Sequence, residues 1–322
     1  MTSPHSPSDE RLESRIIQLT RDLILIESTD AKPEERRRCF QLVRNHLDEL
    51  PGLELKSYEK LGYESLVALP DGVSEPEVLL CAHLDVVEHL GPEYYRSKLE
   101  DGRIYGPGAG DMKGALAILL LLFRNLLKRD PRLPIGLAIT SDEERGGENG
   151  ARFLVEEAGL RAGAVIIPDG GSIDELTIEE KGILHARVTA RGESAHAARP
   201  WLGRNALQAL VDGLHRVSRR FAELAPDPTS GSAASDHWYP TCTVTRIHTP
   251  NESINRIPDE ASAVLDIRFT LPDTSKSMLE IVRAALGPEA QVETIITAAP
   301  THLEPDPAFL DATESVLGRK AR

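Results

Sequence analysis

Five acidic or histidine side chains follow apolar, strand-like runs at the points where those runs end. His83 and Asp85 follow EVLLCA, Glu143 and Glu144 follow PIGLAIT, and Asp169 follows AVIIP. Since ligands of an open parallel sheet bind beyond the carboxyl ends of its strands, we expect these side chains to meet at one edge. Imidazole and carboxylate are common ligands of divalent metals. The spacing therefore predicts a metal site at that edge, with Asp85 on the same face as His83 and able to orient its ring.

A further carboxylate, Asp111, follows the glycine-rich stretch GPGAG and precedes an apolar helix. Taken alone, each candidate has an ordinary structural explanation. In these alternative interpretations, Asp111 would be a helix N-cap, His83 would be a hydrogen-bonded structural histidine, and Asp169 would be a turn residue. Glu143 and Glu144 are a solvated acidic pair. Their joint position at strand ends and loop tips favours the metal site over these separate interpretations.

The elements that carry these residues alternate between helical and strand-like patterns. Apolar spacing predicts helices over 9–28, 33–50, 111–129 and 148–158, and strands over 53–59, 65–69, 77–82, 134–140 and 164–168. This alternation predicts an α/β fold with a doubly wound, mostly parallel sheet that is covered on both faces. The segment from Asp85 to Gly110, rich in Gly and Pro, is predicted to be a long loop.

The pattern changes after Lys181. Strand-like and amphipathic helical runs then follow in the order β-α-β-β-α-β, which is typical of a ferredoxin-like α+β unit. The strands are predicted over 183–192, 241–247, 261–269 and 291–298, and the helices over 205–224 and 274–286. A loop rich in Pro, Ser, Gly and Asp is predicted over 225–237.

Composition excludes several function classes. The 322 residues include 51 acidic and 37 basic side chains, a net charge of -14 that argues against a nucleic-acid partner. The longest apolar run, within GALAILLLLF, is about half of the ~20 residues that span a bilayer. The three cysteines lie far apart, so no disulfide framework is predicted. With a polar N-terminal stretch as well, we expect a cytoplasmic protein that is not bound to a membrane.

Six segments together resemble motifs of one family. They are HLDVV, GPGAGDMKG, SDEERGG, PDGGS, the lid-like GESAHAARPWLGRNAL and the lid-like NRIPDEASAVLDIRF. This is the co-catalytic zinc peptidase and deacylase family that includes aminoacylases, carboxypeptidase G, acetylornithine deacetylase, succinyl-diaminopimelate desuccinylase and bacterial dipeptidases. The resemblance covers about residues 10–310 in the same order. It implies a catalytic metal-binding domain over 1–181, continued by 299–322, and an inserted lid and dimerisation domain over 182–298.

The resemblance also implies an activity and a set of metal ligands. The enzyme would use two Zn²⁺ ions, or Co²⁺ or Mn²⁺, to hydrolyse a peptide or N-acyl amide bond next to a carboxylate. It would act as a dipeptidase, a carboxypeptidase or an N-deacylase on a small substrate. His83 and Asp169 would bind one metal, Glu144 would bind the other, and Asp111 would bridge both.

The remaining roles concern catalysis and substrate binding. Asp85 would orient the zinc-binding histidine, and Glu143 would be the general base. His196 would stabilise the oxyanion in the active site of the partner subunit, which implies a homodimer; the alternative is a solvated loop histidine. Asn255 and Arg268 would hold the substrate carboxylate, and the alternative for Arg268 is a surface ion pair on a lid strand.

One family feature has no counterpart in this sequence. The family usually carries a further zinc histidine near its C-terminus, and His302 in PTHLEPD comes too early in the chain to match it. We therefore expect the second zinc to lack one ligand and the chain to be truncated. An alternative to the enzyme is then an inactive family member that acts only as a folded, dimerising protein.

Overall fold

The computed structural model of the chain describes residues 7–170, 177–226, 237–304 and 306–318. The chain forms two compact units, residues 1–172 and residues 173–322, which are described separately below.

The first unit is an α/β structure around a five-stranded sheet with the strand order β1-β2-β6-β3-β7. Its strands are β1 Leu53–Lys60, β2 Tyr63–Pro70, β3 Val78–His83, β4 Lys98–Glu100, β5 Arg103–Tyr105, β6 Ile135–Thr140 and β7 Ala164–Ile166. Its α-helices are α1 Pro7–Ile24, α2 Pro33–Leu47, α3 Lys113–Arg129 and α4 Ala151–Glu156. The helices and the five sheet strands predicted from the sequence are thus present, with shifted ends.

The sheet is mixed, so the prediction of a mostly parallel sheet is wrong. β3 pairs in parallel with both β6 and β7, but β2 pairs antiparallel with both β1 and β6. The chain turns from β1 into β2 through Leu61 and Gly62, whose φ angles are +50° and +84°. A parallel pair needs a crossover of about a dozen residues or more. A turn of two residues therefore forces the antiparallel arrangement.

Both faces of this sheet are covered. Leu66 and Ala68 of β2 belong to the larger core, which also contains residues of α1, α2 and α3. Val67 and Leu69, which point the opposite way, belong to a smaller core with Leu154 of α4. Every residue of β6 is buried, as expected for a strand inside a sheet with two covered faces.

The segment between Asp85 and Gly110 is more ordered than the predicted loop. It contains a short 3-10 helix, Pro92–Tyr95, and the antiparallel hairpin of β4 and β5. The hairpin turns at Asp101 and Gly102, which both have positive φ angles, +50° and +73°. Asp-Gly is a favoured pair for such a two-residue turn, and the prediction of a loop overlooked this signal.

The second unit contains a four-stranded antiparallel sheet with the order β10-β11-β9-β12. Its strands are β8 Glu179–Glu180, β9 Gly182–Arg191, β10 Thr241–His248, β11 Glu260–Phe269, β12 Gln291–Ala298 and β13 Thr301–His302, and its helices are α5 Ala206–Ala222, α6 Ser275–Leu286 and α7 Pro307–Leu317. The order β9-α5-β10-β11-α6-β12 agrees with the predicted β-α-β-β-α-β unit.

A single core joins α5 and α6 to this sheet. Buried and partly buried residues alternate along β11, which is the pattern of a strand with one covered face. Leu214 of α5 and Val282 of α6 lie in the same core as Leu265. Most of the loop predicted over 225–237 falls outside the described residues. No helix in the described ranges is sufficiently long and apolar to span a membrane.

Candidate metal centre

His83, the last residue of β3, lies at the centre of a group of carboxylates. Its Nε2 atom is 3.0 Å from Oδ1 of Asp111, 3.5 Å from Oδ2 of Asp169 and 3.8 Å from Oε2 of Glu143. The ligand atoms of His83, Glu143 and Asp169 all lie within 4.8 Å of one another. The structure therefore brings together side chains that the sequence places 28 to 86 residues apart, at the edge where they were expected.

The orientation of the His83 ring is fixed by Asp85. The Nδ1 atom lies 3.0 Å from the main-chain oxygen of Asp85 and 3.4 Å from its Oδ1. With Nδ1–H donating to Asp85, the lone pair of Nε2 faces the carboxylates, as a metal ligand requires. The main-chain N–H of His83 donates to Sδ of Met112, at 3.2 Å.

The short segment after β3 is held at both ends. The N–H of Leu84 donates to the carbonyl of Thr140 (3.0 Å), and the N–H of Val86 donates to the carbonyl of Ser28 (3.2 Å). The Ser28 hydroxyl in turn donates to the carbonyl of Leu84, at 2.6 Å. These bonds fix the position of the segment that carries Asp85.

Asp111 is not the helix cap that its sequence position suggested. α3 begins at Lys113, its N-cap position is Met112, and no side chain caps it. The carboxylate of Asp111 instead lies beside His83. The glycine-rich stretch before it needs Gly108, because this residue has a φ of +77° and a Cβ there would lie 2.8 Å from Cγ1 of Val86.

Lys113 is a fully buried cation that the sequence did not single out. Its Nζ donates to the main-chain carbonyls of Leu23 (3.0 Å) and Ile26 (2.7 Å). The lysine thereby ties the start of α3, next to Asp111, to the end of α1. A buried Lys is rare unless it is paired, and its place in GPGAGDMKG was the only signal available.

The two glutamates stand on a 3-10 turn, Glu143–Arg145, directly after β6. The N–H of Glu144 donates to Oδ2 of Asp85, at 3.0 Å, which links this turn to the segment after β3. Glu143, predicted to be the base, is the glutamate in the close group around His83. The role of Glu144 as a metal ligand stays a prediction.

The electrostatics of the group favour a cation. Burial, together with the charge of Asp111, raises the pKa of Glu144 to about 6. Burial also raises the pKa of Glu143 and Asp169. Burial lowers the pKa of His83, but the hydrogen bond and charges of the carboxylates around it outweigh this effect and raise the pKa to about 9.

One imidazole faces the carboxylates of Asp85, Asp111, Glu143 and Asp169, so the group carries an excess of negative charge. In addition, Oδ1 of Asp85 is buried and has no hydrogen-bond partner. A divalent cation would offset the excess negative charge, and imidazole plus carboxylate is a suitable ligand set for it. The residues therefore fit a divalent metal ion, which His83, Asp111, Glu143 and Asp169 lie close enough to hold.

Among the described residues of the second unit, the predicted residues His196, Asn255 and Arg268 belong to no cluster of potential metal ligands. His196 is an exposed loop histidine, and its Nδ1 accepts the N–H of Ala198 at 3.1 Å. Its neighbour Ala197 donates its N–H to the carbonyl of Asn255 (2.8 Å), so these two segments adjoin. Arg268 forms an ion pair with Asp266 (2.8 Å), as the alternative interpretation expected.

His302 also lies in the second unit. Its two ring nitrogens lie 2.6 Å from Glu179 and 3.3 Å from Glu304. In the described structure both ring nitrogens of His302 thus face glutamate carboxylates of the second unit.

Comparison with known proteins identifies related sequences. Residues 79–321 match the description "Peptidase family M20/M25/M40". A succinyl-diaminopimelate desuccinylase from Alkalilimnicola ehrlichii is 29% identical over 81% of this chain and 72% of its own length. A probable carboxypeptidase from Aspergillus terreus is 30% identical over 71% of this chain and 54% of its own length. A desuccinylase from Rhodospirillum centenum is 31% identical, and the match spans 67% of this chain but 57% of that relative.

Solved structures show the same fold. An M20 family metallo-carboxypeptidase from Sulfolobus solfataricus superimposes with a TM-score of 0.73 over 95% of this chain and 84% of its own, at 17% identity. Human carnosine dipeptidase 1 gives a TM-score of 0.71 over 97% of this chain and 84% of its own, also at 17% identity. At these identities the likeness concerns the fold alone.

Proposed function

The chain belongs to peptidase family M20/M25/M40, and we propose that it is a two-metal hydrolase of small peptides or N-acyl amino acids. The scissile bond is an amide next to a carboxylate, as in a dipeptide, the C-terminal bond of a peptide or an N-acylated amino acid. One observation carries the proposal: buried His83 presents Nε2 to three carboxylates between 3.0 and 3.8 Å away. The relatives named as desuccinylases and a carboxypeptidase support the same range of amide substrates.

In this proposal His83 and Asp169 would hold one metal, Glu144 would hold the other, and Asp111 would contribute to both. The metal is zinc, cobalt or manganese. When bound, such a pair supplies Lewis acidity for the scissile carbonyl and the attacking water. Glu143 then accepts the proton of that water and passes it to the leaving amine. Burial raises the pKa of Glu143, and a raised pKa suits a group that both takes and returns a proton.

The proposed domain roles follow the family resemblance. Residues 1–181 with 299–322 form the catalytic domain, and residues 182–298 form a lid that also makes a homodimer. His196 of the lid stabilises the oxyanion across subunits, and Asn255 and Arg268 hold the substrate carboxylate. For Arg268 this role requires the guanidinium to share or leave its ion pair with Asp266. The adjoining segments of His196 and Asn255 support a common position on the lid.

The proposal also places the protein in the cytoplasm, which is a reducing compartment. Cys39, Cys81 and Cys242 are free thiols. Extracellular proteins commonly carry disulfides, so unpaired cysteines support an intracellular place of action.

The general-base assignment is tested by Glu143→Ala. Purified chain is loaded with zinc, cobalt or manganese, and turnover is measured on dipeptides and N-acyl amino acids. We expect Glu143→Ala to lower kcat by about 10²–10⁴, the usual contribution of a positioned base, while metal content by elemental analysis is retained. Glu148→Ala is the matched control, since Glu148 is an exposed glutamate that pairs with Arg152.

Four results would overturn parts of the proposal. If Glu143→Ala keeps its activity, Glu143 is not the general base. If this variant loses its metal together with its activity, Glu143 is a metal ligand. A wild-type chain without turnover under any metal favours the alternative, an inactive protein that folds and dimerises. A monomer by light scattering excludes the action of His196 across subunits.

A further inference from the structure

A cavity of about 670 Å³ in the first unit is bordered by Asp111 and Glu144 of the metal centre. This volume is in the range of small-molecule sites, roughly 300–1,000 Å³. The rest of its wall comes from the segment between β3 and α3, which includes the 3-10 helix and the β4-β5 hairpin. The cavity therefore offers space for a substrate group next to the residues that would act on the amide.

One part of the wall is aromatic and held in place. The His89 ring stacks on Tyr94, with centroids 5.9 Å apart and planes at 24°. It also meets the ring of Tyr95 edge-on at 6.1 Å. Tyr95 is 4% exposed, so this group is anchored in the first unit. Tyr105 of β5 adds a further aromatic side chain to the cavity.

Two cations line the same cavity, and they differ in their partners. Lys98 is paired, since its Nζ lies 2.6 Å from Oε2 of Glu100. Arg96 makes no side-chain hydrogen bond, ion pair or ring contact with any residue of the described ranges. Its main chain is fixed nevertheless, because its N–H donates to the carbonyl of Glu93 (3.1 Å). The adjacent Ser97 accepts a hydrogen bond from Arg21 of α1, at 3.0 Å.

Arg96 is an exposed, unpaired arginine on the wall of the cavity that Asp111 and Glu144 also border. The chain carries a net charge of -14, yet no carboxylate of the described residues approaches Arg96 within ion-pair distance. The planar fork of Arg can bind both oxygens of a carboxylate at once.

We propose that Arg96 is a specificity-determining residue that binds an anionic group of the substrate inside this cavity. The group is a second carboxylate, separated by a few atoms from the scissile amide and distinct from the carboxylate next to that amide. The inference rests on the proposed hydrolase function and narrows its substrates to amides with an acidic acyl group or an acidic side chain.

The test uses two pairs of substrates that differ in one charge. N-succinyl-alanine is compared with N-butyryl-alanine, and Ala-Glu is compared with Ala-Gln, so that each side of the amide is probed. We expect the wild type to prefer the acidic member of at least one pair by about 10- to 100-fold in kcat/KM. Arg96→Leu should remove most of this preference by raising KM for the acidic member, with the neutral member unchanged.

Arg103→Leu is the matched control, because Arg103 is an exposed arginine of β5 that does not line the cavity. It should leave the preference intact. Arg96→Lys, which keeps the charge without the fork, should retain part of it. A wild type that prefers neither acidic substrate, or a preference that survives Arg96→Leu, overturns the inference.

A binding measurement separates this inference from the hydrolase proposal. Calorimetry with glutarate as the probe compares the metal-loaded wild type with Arg96→Leu, without any need for turnover. Binding that is about 10-fold weaker in the variant supports the anion site even if the wild type hydrolyses none of the four substrates. Equal binding by the two proteins contradicts the anion site, whatever the enzyme hydrolyses.

Discussion

Asp142 is expected to hold the 3-10 turn that carries Glu143 and Glu144. It is 1% exposed, and its Oδ2 accepts the main-chain N–H of Asn149 at 2.7 Å and of Gly150 at 3.0 Å. These bonds close the chain back onto the start of the 3-10 turn. Asp142→Ala would leave both donors without this partner, the one at Gly150 in a buried place and the one at Asn149 in a part-buried place.

The size of the effect follows from these contacts. A buried donor left unpaired costs about 1–3 kcal/mol, so two donors cost about 2–6 kcal/mol. Part of this is offset, because the wild type buries a carboxylate, and that burial raises the pKa of Asp142. We expect a net loss of about 2–4 kcal/mol for Asp142→Ala. Asp142→Asn keeps an acceptor oxygen for the same donors, so its cost should be about 1 kcal/mol.

Hydrogen–deuterium exchange measures the loss locally. A change of about 2 kcal/mol speeds the exchange of the Asn149 and Gly150 amides by roughly 30-fold, and the affinity for metal should fall with it. Asp130→Ala is the matched control, because Asp130 accepts the N–H of Arg132 (3.0 Å) in an exposed turn where water can replace it. If Asp142→Ala exchanged no faster than this control, or if Asp142→Asn were equally damaging, the hydrogen-bond argument would be refuted.

Two further substitutions test how the same unit is built, each by urea unfolding beside a control. Gly108→Ala should lower the free energy of unfolding by about 2–4 kcal/mol, since Gly108 has a φ of +77° and no room for a Cβ. Gly110→Ala, where no atom lies within 4 Å, should cost less than about 1 kcal/mol; equal losses would contradict the steric reason. Arg36→Met should cost about 2–4 kcal/mol, because this 5% exposed guanidinium donates to three main-chain carbonyls. Arg38→Met, at an exposed position, should change the free energy of unfolding by less than about 0.5 kcal/mol. A similar loss in Arg36→Met and Arg38→Met would contradict a stabilising role of the three hydrogen bonds of Arg36.

The sequence predicted the metal site because residue type and position pointed to the same place. His83 and Asp169 are polar residues directly after the apolar sequence runs EVLLCA and AVIIP. This pattern can be recognised without knowledge of tertiary contacts. The N-cap interpretation of Asp111 was wrong because a capping residue and a ligand after a glycine-rich stretch have the same local sequence. Only the position of His83, 28 residues earlier, distinguishes the two.

Other features depend on contacts that no local pattern carries. The apolar run of β2 is typical of a strand buried on both faces, which is also what parallel strands show, so its antiparallel pairing was missed. Lys113 and Arg36 carry charges that a sequence pattern assigns to the surface. Their partners are main-chain carbonyls, and those of Lys113 lie 90 and 87 residues away. Such burial can be known only once the helices are packed.

The order of the strands explains why His83 is the centre of the group. β3 lies between β6 and β7, and it is parallel to both. Parallel neighbours end at the same edge, so the segments that follow β6 and β7 approach the end of β3 from opposite sides. Glu143 is therefore 3.8 Å and Asp169 3.5 Å from the same Nε2. The antiparallel pair β1 and β2 lies beyond β6, which separates both strands from β3.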